Sequence, residues 1–146
     1  MEEVTPENKA NRAKVSRVAH FNAAHRLYNP QWSERENQNI FGLCANPHYH
    51  GHNYELIISV EGTIDPETGF VMDMKRLKDL IAEHIEKPFD HKNLNLEVAE
   101  FKTLNPTAEN IAVVIWNRLR RHLPNHLQLE VVVYETPRNF VTYTGG

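Results

Sequence analysis

Three alternating histidines lie close to the only cysteine of the chain, in the segment from Cys44 to Tyr54. Side chains of an extended segment alternate between two faces, so His50 and His52 would present both imidazoles on one face of a strand. Neutral imidazole is a favoured zinc ligand. His25, which lies upstream in an apolar context, is the best candidate for a third ligand. Three histidines leave one coordination position open, as in catalytic rather than structural zinc sites.

A His-x-His pair alone would indicate a metal site only weakly, because short motifs often occur by chance. The nearby cysteine, His25 and a later Asp-His pair strengthen the indication. The chain has no Cys-x-x-Cys pair of the kind that forms a structural zinc knuckle. His48 shares the alternation, so the pattern leaves open whether it contacts a metal or lies at the rim of the site. The motif therefore favours a catalytic metal centre.

The composition is that of an ordinary globular domain of 146 residues, with 40% hydrophobic and 24% charged residues. The net charge of −3 provides no basic surface, which argues against a nucleic acid partner. No segment approaches the roughly 20 apolar residues that a membrane span requires. A single cysteine fits a reducing compartment, and the polar, acidic N-terminus differs from a secretory signal. We therefore expect a cytoplasmic protein.

The patterns predict a flexible N-terminal tail over residues 1–12 and a single domain over residues 13–146. Strands are predicted over residues 15–23, 54–61, 129–134 and 140–143. A first helix is predicted to open at Asp73 and to end before Pro88, because the residue before a proline disfavours the α conformation. A second helix is predicted to begin with Asn105 as its N-cap and Pro106 as its first residue, and to run to about His122.

This order of elements predicts an α+β fold in which a four-stranded antiparallel sheet carries two helices on one face. Such a sheet keeps two exposed edges, which native proteins usually cover or pair. Pairing of these edges between subunits would close the sheets into a barrel, so we expect an oligomer.

Five motifs, in this order, closely resemble the 6-pyruvoyltetrahydropterin synthase family, which includes bacterial 6-carboxytetrahydropterin synthases. The motifs occupy residues 21–27, 44–54, 89–95, 106–110 and 134–137, and the likeness extends over about 15–145. The resemblance implies the tunnelling fold, in which the sheets of several subunits join into a barrel. It also implies a homohexamer, arranged as a dimer of trimers, with active sites between subunits.

The resemblance further implies three groups of site residues: metal ligands His25, His50 and His52; catalytic Cys44, Asp90 and His91; and substrate-binding Glu135, Thr107 and Glu109. A thiolate base at Cys44 would need a pKa lowered by nearby positive charge or metal. Asp90 and His91 would point apart in a regular strand, so a joint role requires a turn after Phe89 or a contribution across subunits. Thr107 and Glu109 are equally consistent with ordinary roles at a helix start.

The activity that the resemblance implies is that of a zinc-dependent lyase. It would convert 7,8-dihydroneopterin triphosphate to 6-pyruvoyltetrahydropterin with loss of triphosphate, in tetrahydrobiopterin biosynthesis. The alternative product is 6-carboxytetrahydropterin, released with acetaldehyde in queuosine and deazapurine biosynthesis. Cys44 lies six positions before His50, the longer spacing seen in pyruvoyl-forming members.

Two further alternatives are a non-catalytic zinc- or pterin-binding protein and a zinc hydrolase with three histidine ligands. Mere binding would not require the proton-transfer groups, and a hydrolase would not require Cys44. Basic candidates for binding the triphosphate are Arg26, Lys75, Lys92 and Arg138.

Overall fold

The structure is a computed structural model that describes residues 11–146 of the chain. Its strands are β1 Arg12–His25, β2 His50–Thr63, β3 Lys92–Asn93, β4 Gln128–Tyr134 and β5 Phe140–Tyr143. Its α-helices are α1 Glu34–Phe41, α2 Met74–Ile81, α3 Lys87–Phe89, α4 Leu94–Glu97 and α5 Ala108–Arg120. Two 3₁₀ turns lie at Gly42–Ala45 and Ala99–Lys102, and a π-helical turn lies at Ala82–Glu86.

The strands form one mixed sheet in the order β3-β1-β2-β4-β5. Four strands pair antiparallel as predicted, whereas β3 pairs parallel with β1 through Ala23–Lys92 and Ala24–Asn93. The described part of the sheet is therefore five-stranded, and the expectation of four strands was wrong. The fifth strand has only two residues, which is too short to produce a period-two hydrophobic pattern.

The helices cover one face of the sheet, while the other face carries both polar and apolar side chains. Phe21 of β1 pairs with Tyr54 of β2, and both are buried with Leu77 of α2 and Ile115 of α5 in one core cluster. The α+β architecture with helices on one face is thus confirmed. Because β1 and β2 pair along their whole length, the residues at their adjoining ends are held in a fixed register.

The predicted tail overlaps the first strand. Arg12 already pairs with Thr63, and the Asn11 carbonyl accepts a hydrogen bond from the Ile64 amide at 2.8 Å. Residues 1–10 of the predicted tail lie outside the described residues. None of the helices between residues 11 and 146 combines the length and apolarity that a membrane-spanning segment requires.

The first predicted helix does not end before Pro88. It begins after the N-cap Asp73 and continues from α2 through the π-helical turn into α3, which ends at Phe89. Proline has no N–H to donate and crowds the carbonyl of residue i−4, here His84. The π-helical turn widens the helix at this point, and the His84 carbonyl accepts instead from Nη1 of Arg118 at 3.2 Å.

The N-cap of α5 is Thr107, two residues later than the predicted Asn105. The Thr107 hydroxyl accepts a hydrogen bond from the Asn110 amide at 3.1 Å. The Asn105 side chain instead accepts from the Tyr28 amide at 3.2 Å, so its tertiary contact replaces the capping role. The helix ends at Arg120 rather than near His122.

Candidate active site

The three predicted histidine ligands meet where β1 ends and β2 begins. His25 is the last residue of β1 and pairs with His50, the first residue of β2, while His52 pairs with Ala23. Each histidine offers a ligand atom, and the three atoms lie within 4.8 Å of one another. We call this group the histidine triad. Strand alternation and antiparallel register together place all three imidazoles on the helix-covered face of the sheet.

The chemistry of the histidine triad fits a metal ion. Nδ1 of His25 lies 2.8 Å from the Pro106 carbonyl, to which it donates, so its Nε2 keeps a free lone pair. Nε2 of His25, Nδ1 of His50 and Nε2 of His52 are buried, and none has a hydrogen-bond partner within the described residues. Buried polar atoms are costly when unpaired, and one cation would satisfy all three.

The electrostatics at two of the three ligands, His25 and His50, favour neutral imidazoles. Burial, together with the neighbouring His50 and His52, lowers the pKa of His25 to about 4. Burial and His52 also lower the pKa of His50, against the opposing effect of Glu135. Because metal binding requires the neutral ring, these shifts prepare the ligands at neutral pH.

Tyr54 is a neighbour of the histidine triad that the sequence reasoning missed. Its hydroxyl lies 3.3 Å from Nδ1 of His25, and its side chain is buried and stacked on Phe21. The signal was available, since Tyr54 continues the alternation of His50 and His52 by one further step. Burial raises its pKa above the ordinary tyrosine value, so the hydroxyl stays protonated.

His48 does not join the histidine triad. It is exposed and lies in the turn before β2. Tyr49, between His48 and His50, adopts a φ of 66°, a left-handed conformation that interrupts the strand alternation. Although His48 has the same spacing in the sequence, the structure therefore does not place it beside His50 and His52.

Cys44 lies half-buried in the 3₁₀ turn Gly42–Ala45. Burial and the Glu135 carboxylate raise the pKa of its thiol. The predicted lowering of the pKa requires positive charge or a metal, whereas within the described residues burial and a negative charge act on the thiol. The chain's own groups therefore keep Cys44 protonated at neutral pH.

Glu135 follows directly after β4 and brings the substrate-binding candidates together. Its Oε1 lies 3.6 Å from Nε2 of His52. Glu135, Thr107 and Glu109 line one pocket of about 270 Å³, together with Leu27. The pocket therefore connects with the histidine triad through the Glu135–His52 contact.

Asp90 and His91 form a pair that lies apart from the histidine triad. His91 has a φ of 58°, which creates the turn that the pair requires, and its Nδ1 lies 3.0 Å from Oδ2 of Asp90. Asn22 of β1 fixes this turn, because its amide donates to Asp90 at 2.9 Å and its carbonyl accepts from the His91 amide at 2.6 Å. The Asn22 amide is also the main cause of the lowered pKa of Asp90.

The pair lies directly before the edge strand β3, beside β1, where Asp90 shares a pocket with the outward-facing Asn22 and Asn53. The histidine triad is on the opposite, helix-covered face. Within the described residues of one chain, the structure does not bring Asp90 and His91 to the triad.

Comparison with known proteins shows the family of the chain. The sequence model of the family described as 6-pyruvoyl tetrahydropterin synthase matches residues 14–146. The chain belongs to this family. Its members include a 6-pyruvoyl tetrahydrobiopterin synthase from Homo sapiens, which is 47% identical over 133 residues, covering 91% of this chain and 92% of that protein.

A structure and a more distant relative extend the comparison. The structure of Caenorhabditis elegans 6-pyruvoyl tetrahydropterin synthase is 37% identical, with a TM-score of 0.88, and the match covers 93% of this chain and 97% of that chain. A 6-carboxy-5,6,7,8-tetrahydropterin synthase from Rickettsia conorii is 30% identical, covering 88% of this chain and 97% of that protein. The relatives of the chain thus carry both product names.

Proposed function

We propose that the protein is a zinc-dependent lyase that converts 7,8-dihydroneopterin triphosphate to 6-pyruvoyltetrahydropterin with loss of triphosphate. The observation that carries the proposal is the histidine triad, with one buried unpartnered nitrogen per imidazole, beside the Glu135 pocket and Cys44. Membership of the family and the human relative at 47% identity support this activity over unrelated zinc chemistry.

His25, His50 and His52 would hold the zinc ion. When bound there, zinc supplies Lewis acidity toward the oxygen atoms of the substrate side chain, which makes the adjacent C–H bonds more acidic. The hydrogen bond from His25 to the Pro106 carbonyl fixes the ring orientation for this purpose.

Glu135 would bind the pterin ring. A carboxylate accepts two parallel hydrogen bonds from an N–H and an adjacent amino group, as it does from a guanidinium. Thr107 and Glu109 line the same pocket and would assist from the start of α5. The ring would then lie close to His52, with the substrate side chain directed toward the histidine triad.

Cys44, Asp90 and His91 would take and return protons. The raised pKa of Cys44 makes Sγ a proton donor at neutral pH, until a bound cation offsets the negative charge of Glu135. Asp90 accepts from Nδ1 of His91, which fixes the ring tautomer and leaves Nε2 free to exchange a proton.

The separation of Asp90 and His91 from the histidine triad supports a homohexamer in which a neighbouring subunit completes each active site. In this arrangement the free edges of the sheet pair between subunits and close the barrel. The single cysteine continues to favour a reducing, cytoplasmic location.

The alternative function is formation of 6-carboxytetrahydropterin with release of acetaldehyde. The Rickettsia conorii relative favours it, since that protein carries the 6-carboxy name. The higher identity of the human protein and the six-residue spacing from Cys44 to His50 favour the pyruvoyl product.

The test is anaerobic incubation of the zinc-loaded protein with 7,8-dihydroneopterin triphosphate, followed by mass spectrometry. A pyruvoyl product with free triphosphate supports the proposal, whereas a carboxy product with acetaldehyde supports the alternative. Absence of both products from protein that contains zinc would refute a synthase.

Glu135→Gln should raise KM strongly, and Glu67→Gln, in an exposed turn, is the matched control.

A further inference from the structure

The end of β1 is bonded directly to the turn that carries Cys44. The Leu27 amide donates to the Cys44 carbonyl at 2.7 Å. Nη2 of Arg26 donates to the next carbonyl, that of Ala45, at 2.8 Å. The two residues after His25 therefore hold two consecutive carbonyls of the cysteine turn.

The guanidinium of Arg26 is itself held in place. It is half-buried, and its central carbon lies 4.1 Å from the centre of the Tyr28 ring. A guanidinium stacked on an aromatic face is oriented by the ring as well as by its hydrogen bonds. The bond to Ala45 is therefore made from a restricted side chain.

The main chain of Arg26 is fixed from the other side. Oδ1 of Asn95 accepts from the Arg26 amide at 2.9 Å, and Nδ2 of Asn95 donates to the Arg26 carbonyl at 3.0 Å. Asn95 belongs to α4, which follows β3 at the edge of the sheet. Arg26 thus connects an anchored backbone with the cysteine turn.

Little else secures this turn by burial. Leu43 is 89% exposed and Gly42 is exposed, so Ala45 is the one buried residue of the four. A segment with few buried apolar contacts opens at low cost unless hydrogen bonds hold it. The hydrogen bonds from Arg26 and Leu27 consequently carry much of its stability.

We propose that Arg26 is a positioning residue that holds the Cys44 turn against the end of β1, next to the metal ligand His25. This is a different role from binding the triphosphate, for which the sequence made Arg26 one of four candidates. The importance of Cys44 for turnover rests on the proposed function, but the anchoring of its turn does not.

Alkylation by iodoacetamide tests the anchoring without any substrate, because Cys44 is the only cysteine of the chain. Arg26→Met should increase the alkylation rate of the zinc-loaded protein about tenfold, as expected when a hydrogen bond that limits opening of the turn is lost. Arg35→Met, at an exposed position of α1, is the matched control and should react like the unmodified chain.

Arg26→Lys should give an intermediate alkylation rate, since an ammonium reaches a carbonyl but does not stack as a planar group. The kcat should decrease in the opposite order, from the unmodified chain through Arg26→Lys to Arg26→Met, with zinc content and KM for 7,8-dihydroneopterin triphosphate unchanged. If Arg26→Met unfolds, an alkylation rate of Arg26→Lys above that of the unmodified chain still supports the proposal.

Two results would overturn the proposal. Alkylation of both Arg26 variants at the control rate with a raised KM would mean that Arg26 binds substrate. Alkylation of both variants at the control rate without any kinetic change would mean that the turn does not depend on Arg26. Absence of turnover in the unmodified chain would refute the proposed function but leave the alkylation result valid.

Discussion

Arg118 of α5 is the best place to test how the structure supports the Asp90–His91 turn. Its Nε and Nη2 each donate to the Glu100 carboxylate at 2.6 Å, and its Nη1 donates to the His84 carbonyl. Its guanidinium carbon also lies 5.0 Å from the centre of the Phe89 ring. Arg118→Met would remove these contacts while keeping an extended apolar side chain.

The expected loss of stability lies between two limits. Hydrogen bonds to charged groups contribute about 1.5–3 kcal/mol when buried, but exposed ion pairs contribute only about 0.2–1 kcal/mol. The side chains of Arg118 and Glu100 are 21% and 35% exposed, so about 1–2 kcal/mol is reasonable after solvent screening. Loss of the hydrogen bond to His84 adds about 1 kcal/mol. The total of roughly 2–3 kcal/mol corresponds to a decrease in Tm of about 5–10 °C.

The pH dependence provides a second observable. Hydrogen bonds from Arg118 lower the pKa of Glu100 below its ordinary value of 4.5. A carboxylate whose pKa is lowered by folding stabilises the protein above its unfolded pKa, and this stabilisation is lost as the pH falls through the folded pKa. The stability difference between the unmodified chain and Arg118→Met should therefore be full at pH 7 and decrease below pH 4.5.

Urea denaturation followed by circular dichroism measures both effects. Arg121→Met is the matched control, because Arg121 is an exposed neighbour that affects Glu100 only through its charge. A difference of less than about 0.5 kcal/mol between Arg118→Met and this control would refute the reasoning, since ordinary surface substitutions fall in that range. A difference that stays constant down to pH 3 would refute the role of Glu100.

Three further substitutions test other features. Cys44→Ala should retain the metal but lose most turnover, and unchanged rates would remove the thiol from the mechanism. His50→Ala should lose the metal, which elemental analysis would detect, whereas full zinc occupancy would contradict the ligand assignment. Gly145→Ala should lower the free energy of unfolding by about 1–3 kcal/mol in urea denaturation, because φ is +96° and a Cβ atom would overlap the Trp116 ring; an unchanged value would contradict this packing.

The elements with strong periodicity could be predicted from sequence, whereas features that depend on distant contacts could not. The core positions Leu77 and Ile115 were visible because apolar residues recur at helical spacing. The end of the first helix was not, because the contact that compensates for Pro88 comes from Arg118, thirty residues later. Rules that consider only neighbouring residues predict that the helix ends before Pro88. The hydrogen bond from the distant Arg118 allows the helix to continue.

The site likewise has one part that could be predicted from sequence and another that could not. The pair His50 and His52 follows from strand alternation and His25 was predicted from its apolar context, whereas the pairing of the two strand ends appears only in the structure. The bond from Arg26 to the Cys44 turn leaves no such signal, because it depends on how a loop folds back onto β1. The raised pKa of Cys44 was also unpredictable, since it depends on the burial of the thiol and on the position of Glu135.

The π-helical turn Ala82–Glu86 lets the helix before Asp90 contain one residue more without changing the direction of the segment that follows. A π-helical turn holds one residue more than an α-helical turn, and each residue of an α-helix advances by about 100° around the axis. The whole turn therefore covers about the same rotation as one α-helical turn. Deleting a single residue of it would restore α-helical winding and still leave Asp90 near the Asn22 amide that now holds it. The deletion would instead remove the widening that accommodates Pro88, so its cost would fall on stability.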